Sequence, residues 1–191
     1  MPSVGVQALW LREASFGTSA RRVLTGPSLP APSLRRDTAR AMSQENVELV
    51  RGLWEPIKGV DNTAIDWDSE PIREMTERFW SPEIELRWSR RGPEARVYQG
   101  REAVINAFRE WLESFSEYYN EPLDFIEVGD RVVVPNRQWG IGSTSGIPVE
   151  DEFTWVYEFR DHMITRVDEY DTLKEALEAV GLSEQDAHAD S

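Results

Sequence analysis

Apolar residues recur with two different periods along this chain, and the change of period divides it. Val47, Val50, Trp54 and Ile57 lie three or four residues apart, the stripe of an amphipathic helix, and Ser43 is suited to cap it with Glu45 in its first turn. Asp68-Ser69-Glu70-Pro71 is a start signal for a second helix, whose Ile72, Met75 and Phe79 share a side and which ends near Ser81-Pro82. Ile84, Leu86 and Trp88 then alternate with Glu85 and Arg87, the period of a half-buried strand, before a loop at Gly92-Pro93. A third helix, from Arg101 to about Ser116, sets Val104, Ile105, Phe108, Trp111, Leu112 and Phe115 on a stripe wide enough to pack on a sheet.

Beyond it the period shortens to two. Extended segments run roughly from Tyr118 to Val128, Arg131 to Ile141, Val149 to Arg160 and Met163 to Asp171, parted by Gly129-Asp130, a loop from Gly142 to Gly146, and Asp161-His162. Antiparallel hairpins are the natural connection. Thr172-Leu173-Lys174-Glu175 is a capping box that opens a short helix, which Gly181 can end. Helices first and a long meander afterwards predict an α+β fold. Its expected form is a curved antiparallel sheet wrapped around the N-terminal helices, with the helices sharing one face, in a cone closed at one end and hollow at the other.

Composition narrows the class of function. The formal net charge is −14; residues 1–41 hold six Arg against Glu13 and Asp37, so they carry +4 and the remainder carries −18. That acidic field repels phosphate backbones and anionic membrane surfaces, so neither nucleic acid nor membrane is an expected partner. There is no Cys and only His162 and His188, which removes disulfides, thiolate nucleophiles and the usual metal sites. No metal or cofactor is expected, and a reducing cytoplasm suits the composition. No apolar run approaches the roughly 20 residues that cross a bilayer. Residues 1–41 show no sustained period, and their Arg and Ser content reads as a disordered tail or a mis-assigned start. One domain over residues 42–182 follows, then a polar tail at 183–191.

Several motifs together carry a family likeness: Tyr98-Gln99-Gly100-Arg101-Glu102-Ala103-Val104, Gly129-Asp130-Arg131-Val132-Val133-Val134, Phe159-Arg160-Asp161 before Ile164, and Glu169-Tyr170 before Glu175-Ala176-Leu177-Glu178-Ala179. In these the chain resembles the SnoaL-like branch of the nuclear transport factor 2-like superfamily. That resemblance implies the cone fold, with members that include isomerases, epoxide hydrolases, polyketide cyclases and non-catalytic binding domains. Where ketosteroid isomerases carry a Tyr and two Asp, this sequence aligns Leu53, Leu86 and Trp155; these cannot move a proton, which excludes that reaction. Where limonene epoxide hydrolases carry Asp, Arg and Asp, it aligns Gln138, Asn136 and Glu169, so one carboxylate remains and an amide without useful basicity replaces another. Cyclases of the SnoaL type work with one inward carboxylate, a part Glu169 can take.

Period two supports the same grouping without any family. Asn136 and Gln138 share a face with Val132 and Val134, and Glu169 shares one with Val167 and Asp171. Such polar groups either continue an apolar face into a pocket or lie near strand ends in solvent. If buried, the Glu169 carboxyl is desolvated and more basic. Phe153, Trp155, Tyr157 and Phe159 form an aromatic row, either core or the lining for a flat ligand, and the Tyr157 hydroxyl can donate to a substrate oxygen. The expected lining is Leu53, Trp54, Leu86, Trp88, Val134, Trp155 and Val167, and the expected ligand is a small hydrophobic molecule. Passive binding is one function. The alternative is a cofactor-free lyase, isomerase or hydrolase in which Glu169 acts as base while Asn136, Gln138 and Tyr157 orient water or hold developing charge. An uncovered sheet face further predicts a homodimer.

Overall fold

The computed structural model of the chain describes residues 44–89 and 96–182. The tail readings for 1–41 and 183–191, the Ser43 cap, His188 and the Gly92-Pro93 loop lie outside them. Helix α1 covers residues 44–54. A single 3-10 turn, Asn62–Ala64, follows, then α2 (Glu70–Phe79), β1 (Trp80–Trp88), β2 (Arg96–Gln99) and α3 (Arg101–Leu112). The meander comprises β3 (Phe115–Pro122), β4 (Ile126–Val128), β5 (Arg131–Gly142), β6 (Pro148–Arg160) and β7 (Met163–Tyr170), and α4 (Leu173–Ala179) ends the described chain.

One sheet results, in the order β2-β1-β7-β6-β5-β3, with β4 paired to β5 beside β3. The expected α+β cone is present, with a correction: the sheet is mixed, because β1 runs parallel to β7 while the other pairs are antiparallel. Hairpins force antiparallel neighbours within the meander, but β1 reaches β7 through most of the chain. Alternation within a strand says nothing about the direction of so distant a neighbour. A second correction concerns α4. Helices α1 and α3 bury Val50, Leu53, Trp54, Val104 and Ala107 against inward residues such as Leu86, Val132, Val134, Tyr157 and Val167. Ala176 and Leu177 of α4 pack instead with Val133 and Val156, which alternation places on the opposite face.

Boundaries moved where one spacing served two structures. Helix α3 ends at Leu112, and Phe115 opens β3 with its ring 5.1 Å from Trp111 and 4.8 Å from Tyr118. Its four-residue spacing from Trp111 is kept by a turn as well as by a helix. Strand β2 has three exposed residues and only Tyr98 half-buried, so it carries no alternation to read. Two local signals behave as written: Thr172 Oγ1 accepts from Glu175 N (3.2 Å) at the start of α4, and Gly181 at φ 82° ends it. Asp161 and His162 both take positive φ, 52° and 62°, in the two-residue turn between β6 and β7, so His162 is a turn residue.

Candidate functional site

A hollow of about 100 Å³ lies between the inner face of the sheet and the layer formed by α1, the 3-10 turn, α2 and α3. Its wall is mostly aromatic and aliphatic. Six of the seven residues expected to line it do so: Leu53, Trp54, Leu86, Trp88, Trp155 and Val167. Val134 does not; it is fully buried beside the wall. Of the four residues given chemical roles, Glu169, Gln138 and Tyr157 reach the hollow and Asn136 does not. Register supplies the reason. Val134 stands opposite Trp155, and Asn136 opposite Phe153, so on those two rows the larger β6 side chains form the wall. Asn136 is 0% exposed, and its Nδ2 donates to Val134 O (2.6 Å).

Trp155 is the hub of one end. Its ring lies 5.7 Å from Trp54, 5.6 Å from Phe108, 5.6 Å from Phe153 and 6.0 Å from Tyr157, tilted or edge-on to each, the arrangement that aromatic quadrupoles favour. Its Nε1 donates to Glu169 Oε2 (3.3 Å), opposite it in register on β7. Glu169 is only 6% exposed, and its backbone carbonyl accepts from Ser89 Oγ (2.9 Å), which ties the ends of β1 and β7 together. Trp54 Nε1 donates to the Tyr157 hydroxyl (3.1 Å). Burial pushes the Tyr157 pKa well above its ordinary value, and the Trp54 bond only partly opposes this, so the hydroxyl keeps its proton. That proton has no acceptor among the described residues. At this end the indole nitrogens of Trp54 and Trp155 are each paired with a side-chain oxygen.

A second set of polar groups on the wall consists mainly of amides. The Asp61 carboxylate caps the 3-10 turn: Oδ1 accepts from Thr63 N (3.0 Å), Thr63 Oγ1 (2.7 Å) and, across to β3, Tyr118 N (3.1 Å). Burial raises its pKa, but these bonds outweigh burial and hold it below the ordinary value. The turn is thereby pinned on β3 and presents Asn62 to the hollow. Asn62 is 3% exposed, and neither its Nδ2 nor its Oδ1 has a hydrogen-bond partner among the described residues. Asn120 Oδ1 and Trp67 Nε1 are likewise buried without partners among the described residues, and both residues line the hollow. Asn120 faces Gln138 across the β3–β5 ladder, and the Tyr118 hydroxyl donates to Gln138 Oε1. Asn62, Trp67 and Asn120 were not legible as site residues. Asp61-Asn62-Thr63 reads as a polar turn, and nothing periodic marks Asn62 as inward.

Among the described residues, Glu169 is the only carboxylate on the wall, and none that line it is Lys, Arg or His. Among the described residues no group of three or more His, Asp or Glu gathers as a metal would require, and no helix is long and apolar enough to cross a membrane.

Helices laid into a curved, unclosed sheet with a hollow between them define a nuclear transport factor 2-like domain. The sequence model of the SnoaL-like domain family matches residues 66–167, more than half of the chain, and the protein belongs to that family. Among solved structures it is similar to a candidate SnoaL-like polyketide cyclase from Jannaschia sp. CCS1, at 18% identity and a TM-score of 0.55, covering 72% of this chain and 92% of that one. It is also similar to a phenazine biosynthesis-related protein from Pseudomonas aeruginosa (16% identity, TM-score 0.54, 77% and 92% covered). A third is TerC, co-crystallised with polyporic acid (20% identity, TM-score 0.51, 71% and 98% covered). At these identities the likeness is one of fold. No curated protein matches the chain.

Proposed function

We propose that the domain binds a small, largely apolar molecule in the hollow between its helices and sheet. The hollow itself carries this reading. Protein interiors are close-packed, and an empty space of about 100 Å³ costs on the order of 2 kcal/mol in lost contacts. In an otherwise dense aromatic core, that cost is one an occupant recovers. Size limits the occupant, since an engineered apolar cavity of roughly 150 Å³ takes one benzene ring. The hollow is smaller than that, so it takes a short branched molecule, or a single ring with small movements of its wall. Toluene is a suitable probe: near saturation it raises the melting temperature by mass action. An unchanged melting temperature at saturating toluene would reject the reading.

Glu169 favours a second reading, in which the bound molecule is turned over without a cofactor by a lyase, isomerase or hydrolase reaction. What supports it is a carboxyl group on an apolar wall, adjoining Trp155 as Tyr157 also does; such a group, when ionised, can take a proton from carbon or water. The protonated Tyr157 hydroxyl can then hydrogen-bond to oxygen as negative charge develops on it. Glu169→Gln keeps the size and removes the base. Turnover of any substrate found should fall about 10²-fold or more with little change in ligand affinity; equal turnover in the variant would remove Glu169 from the chemistry.

The outer side of the sheet supports a homodimer. Tyr119 and Trp139 stack there 5.6 Å apart, with Val149 exposed beside them. Light scattering at micromolar concentration checks it, and a monomer there would count against it.

A further inference from the structure

We propose that the buried amide of Asn62, on the wall of the hollow, is a recognition subsite for a neutral ligand group that carries a hydrogen-bond donor beside an acceptor, of which a carboxamide or lactam edge is the simplest. The proposal rests on the reading of the hollow as a ligand site and names the polar chemistry of that ligand. Asn62 is 3% exposed, and both polar atoms of its amide lack partners among the described residues. A buried amide left in this way opposes folding, and such groups are rare enough that each calls for an explanation, of which a bound ligand group is one. Its placement is enforced, because Asp61 holds the turn to itself and to β3 through three hydrogen bonds on one oxygen. A leucine would fill the same position with no polar atom to satisfy.

The unmatched atoms define what complements them. Asn62 Nδ2 and Trp67 Nε1 are donors; Asn62 Oδ1 and Asn120 Oδ1 are acceptors. A hydrocarbon leaves all of them unpaired. A carboxylate answers only the donors, meets no cationic side chain among the described residues of the wall, and shares the hollow with Glu169. The −18 charge carried by residues 42–191 also repels it. A carboxamide presents N–H and C=O side by side and can pair with the Asn62 amide edge to edge. Its apolar body then points into the aromatic part of the hollow.

Benzamide, toluene and benzoate are probes of nearly one size that differ in this group alone. ¹⁵N-labelled protein is titrated with each, reading the indole N–H resonances of its tryptophans. Benzamide and toluene should both shift them, with benzoate binding weakest. In Asn62→Leu the ratio of the benzamide to the toluene Kd should rise about tenfold, the value of one well-made hydrogen bond. Asn62→Asp, which keeps the size and removes the amide donor, should raise it as well and serves if the leucine variant does not fold. An unchanged ratio in a folded variant, or benzoate binding as tightly as benzamide, overturns the subsite and leaves the ligand site standing. Toluene shifting the resonances while benzamide does not has the same meaning. If none of the three probes shifts them, both the subsite and the ligand site are wrong.

Discussion

The two ends of the hollow hold their polar atoms in opposite ways. At the aromatic end, Trp54 is paired with Tyr157 and Trp155 with Glu169, so each indole nitrogen has its acceptor in the protein. At the amide end, Asn62, Asn120 and Trp67 keep buried polar atoms with no partner among the described residues. Both sets of groups line one hollow and both are buried, so the difference lies in whether their nitrogens are paired within the protein. A matched pair adds to stability, and an unmatched amide subtracts from it. On the proposed reading, the unpaired amide of Asn62 is a place where the fold gives up stability for binding.

Substitutions at the two ends should therefore move stability in opposite directions. Tyr157→Phe removes the acceptor of the buried Trp54 N–H and should destabilise by about 1–3 kcal/mol, read as a lower urea midpoint at unchanged slope. Asn62→Leu breaks no pair and puts apolar atoms where an unsatisfied amide stood. It should be neutral or stabilising by up to about 1 kcal/mol. A loss at Asn62 as large as that at Tyr157 would break the comparison, since it would mean that the Asn62 amide already has a partner, such as an ordered water, in the free protein.

The contrast also explains what could be read from the sequence. The aromatic end was legible because period two runs through it: Trp155 and Tyr157 alternate on β6, Val167 and Glu169 on β7, Leu86 and Trp88 on β1, and inward positions of a curved sheet converge. The family likeness added Glu169 and Gln138. Alternation fixes a face but not depth. Asn136 has the same parity as Gln138, yet its row is closed by Phe153, and Val134 is closed in the same way by Trp155. The amide end was not legible because Asn62 sits in a 3-10 turn, where no repeat relates neighbouring side chains to one surface. Its orientation depends on the Asp61 bond to Tyr118 N, a contact between residues 57 positions apart. The parallel β1–β7 pairing was hidden for the same reason, as a long-range contact without a local signature.

Asp61 gives the smallest effect and the finest test of how the amide end is held. Hydrogen bonds from Thr63 and Tyr118 favour its ionised form in the folded protein, so its pKa there lies below its ordinary value of 3.8. A group lowered on folding contributes stability that is complete above its unfolded pKa and is lost as the pH falls through its folded one. The contribution is thus intact at neutral pH and disappears below about pH 4, where the carboxylate must protonate against its donors. Asp61→Asn retains an acceptor oxygen but has no charge to titrate. It should lower stability modestly at neutral pH, by about 0.5–2 kcal/mol as for the loss of a capping side chain, and the deficit relative to wild type should shrink as the pH is taken below 4. Urea midpoints of the two proteins measured from pH 7 down to 3 resolve this. A deficit that stays constant or widens on acidification would mean that the turn is held without the Asp61 charge. Asn62 would then owe its inward position to packing alone.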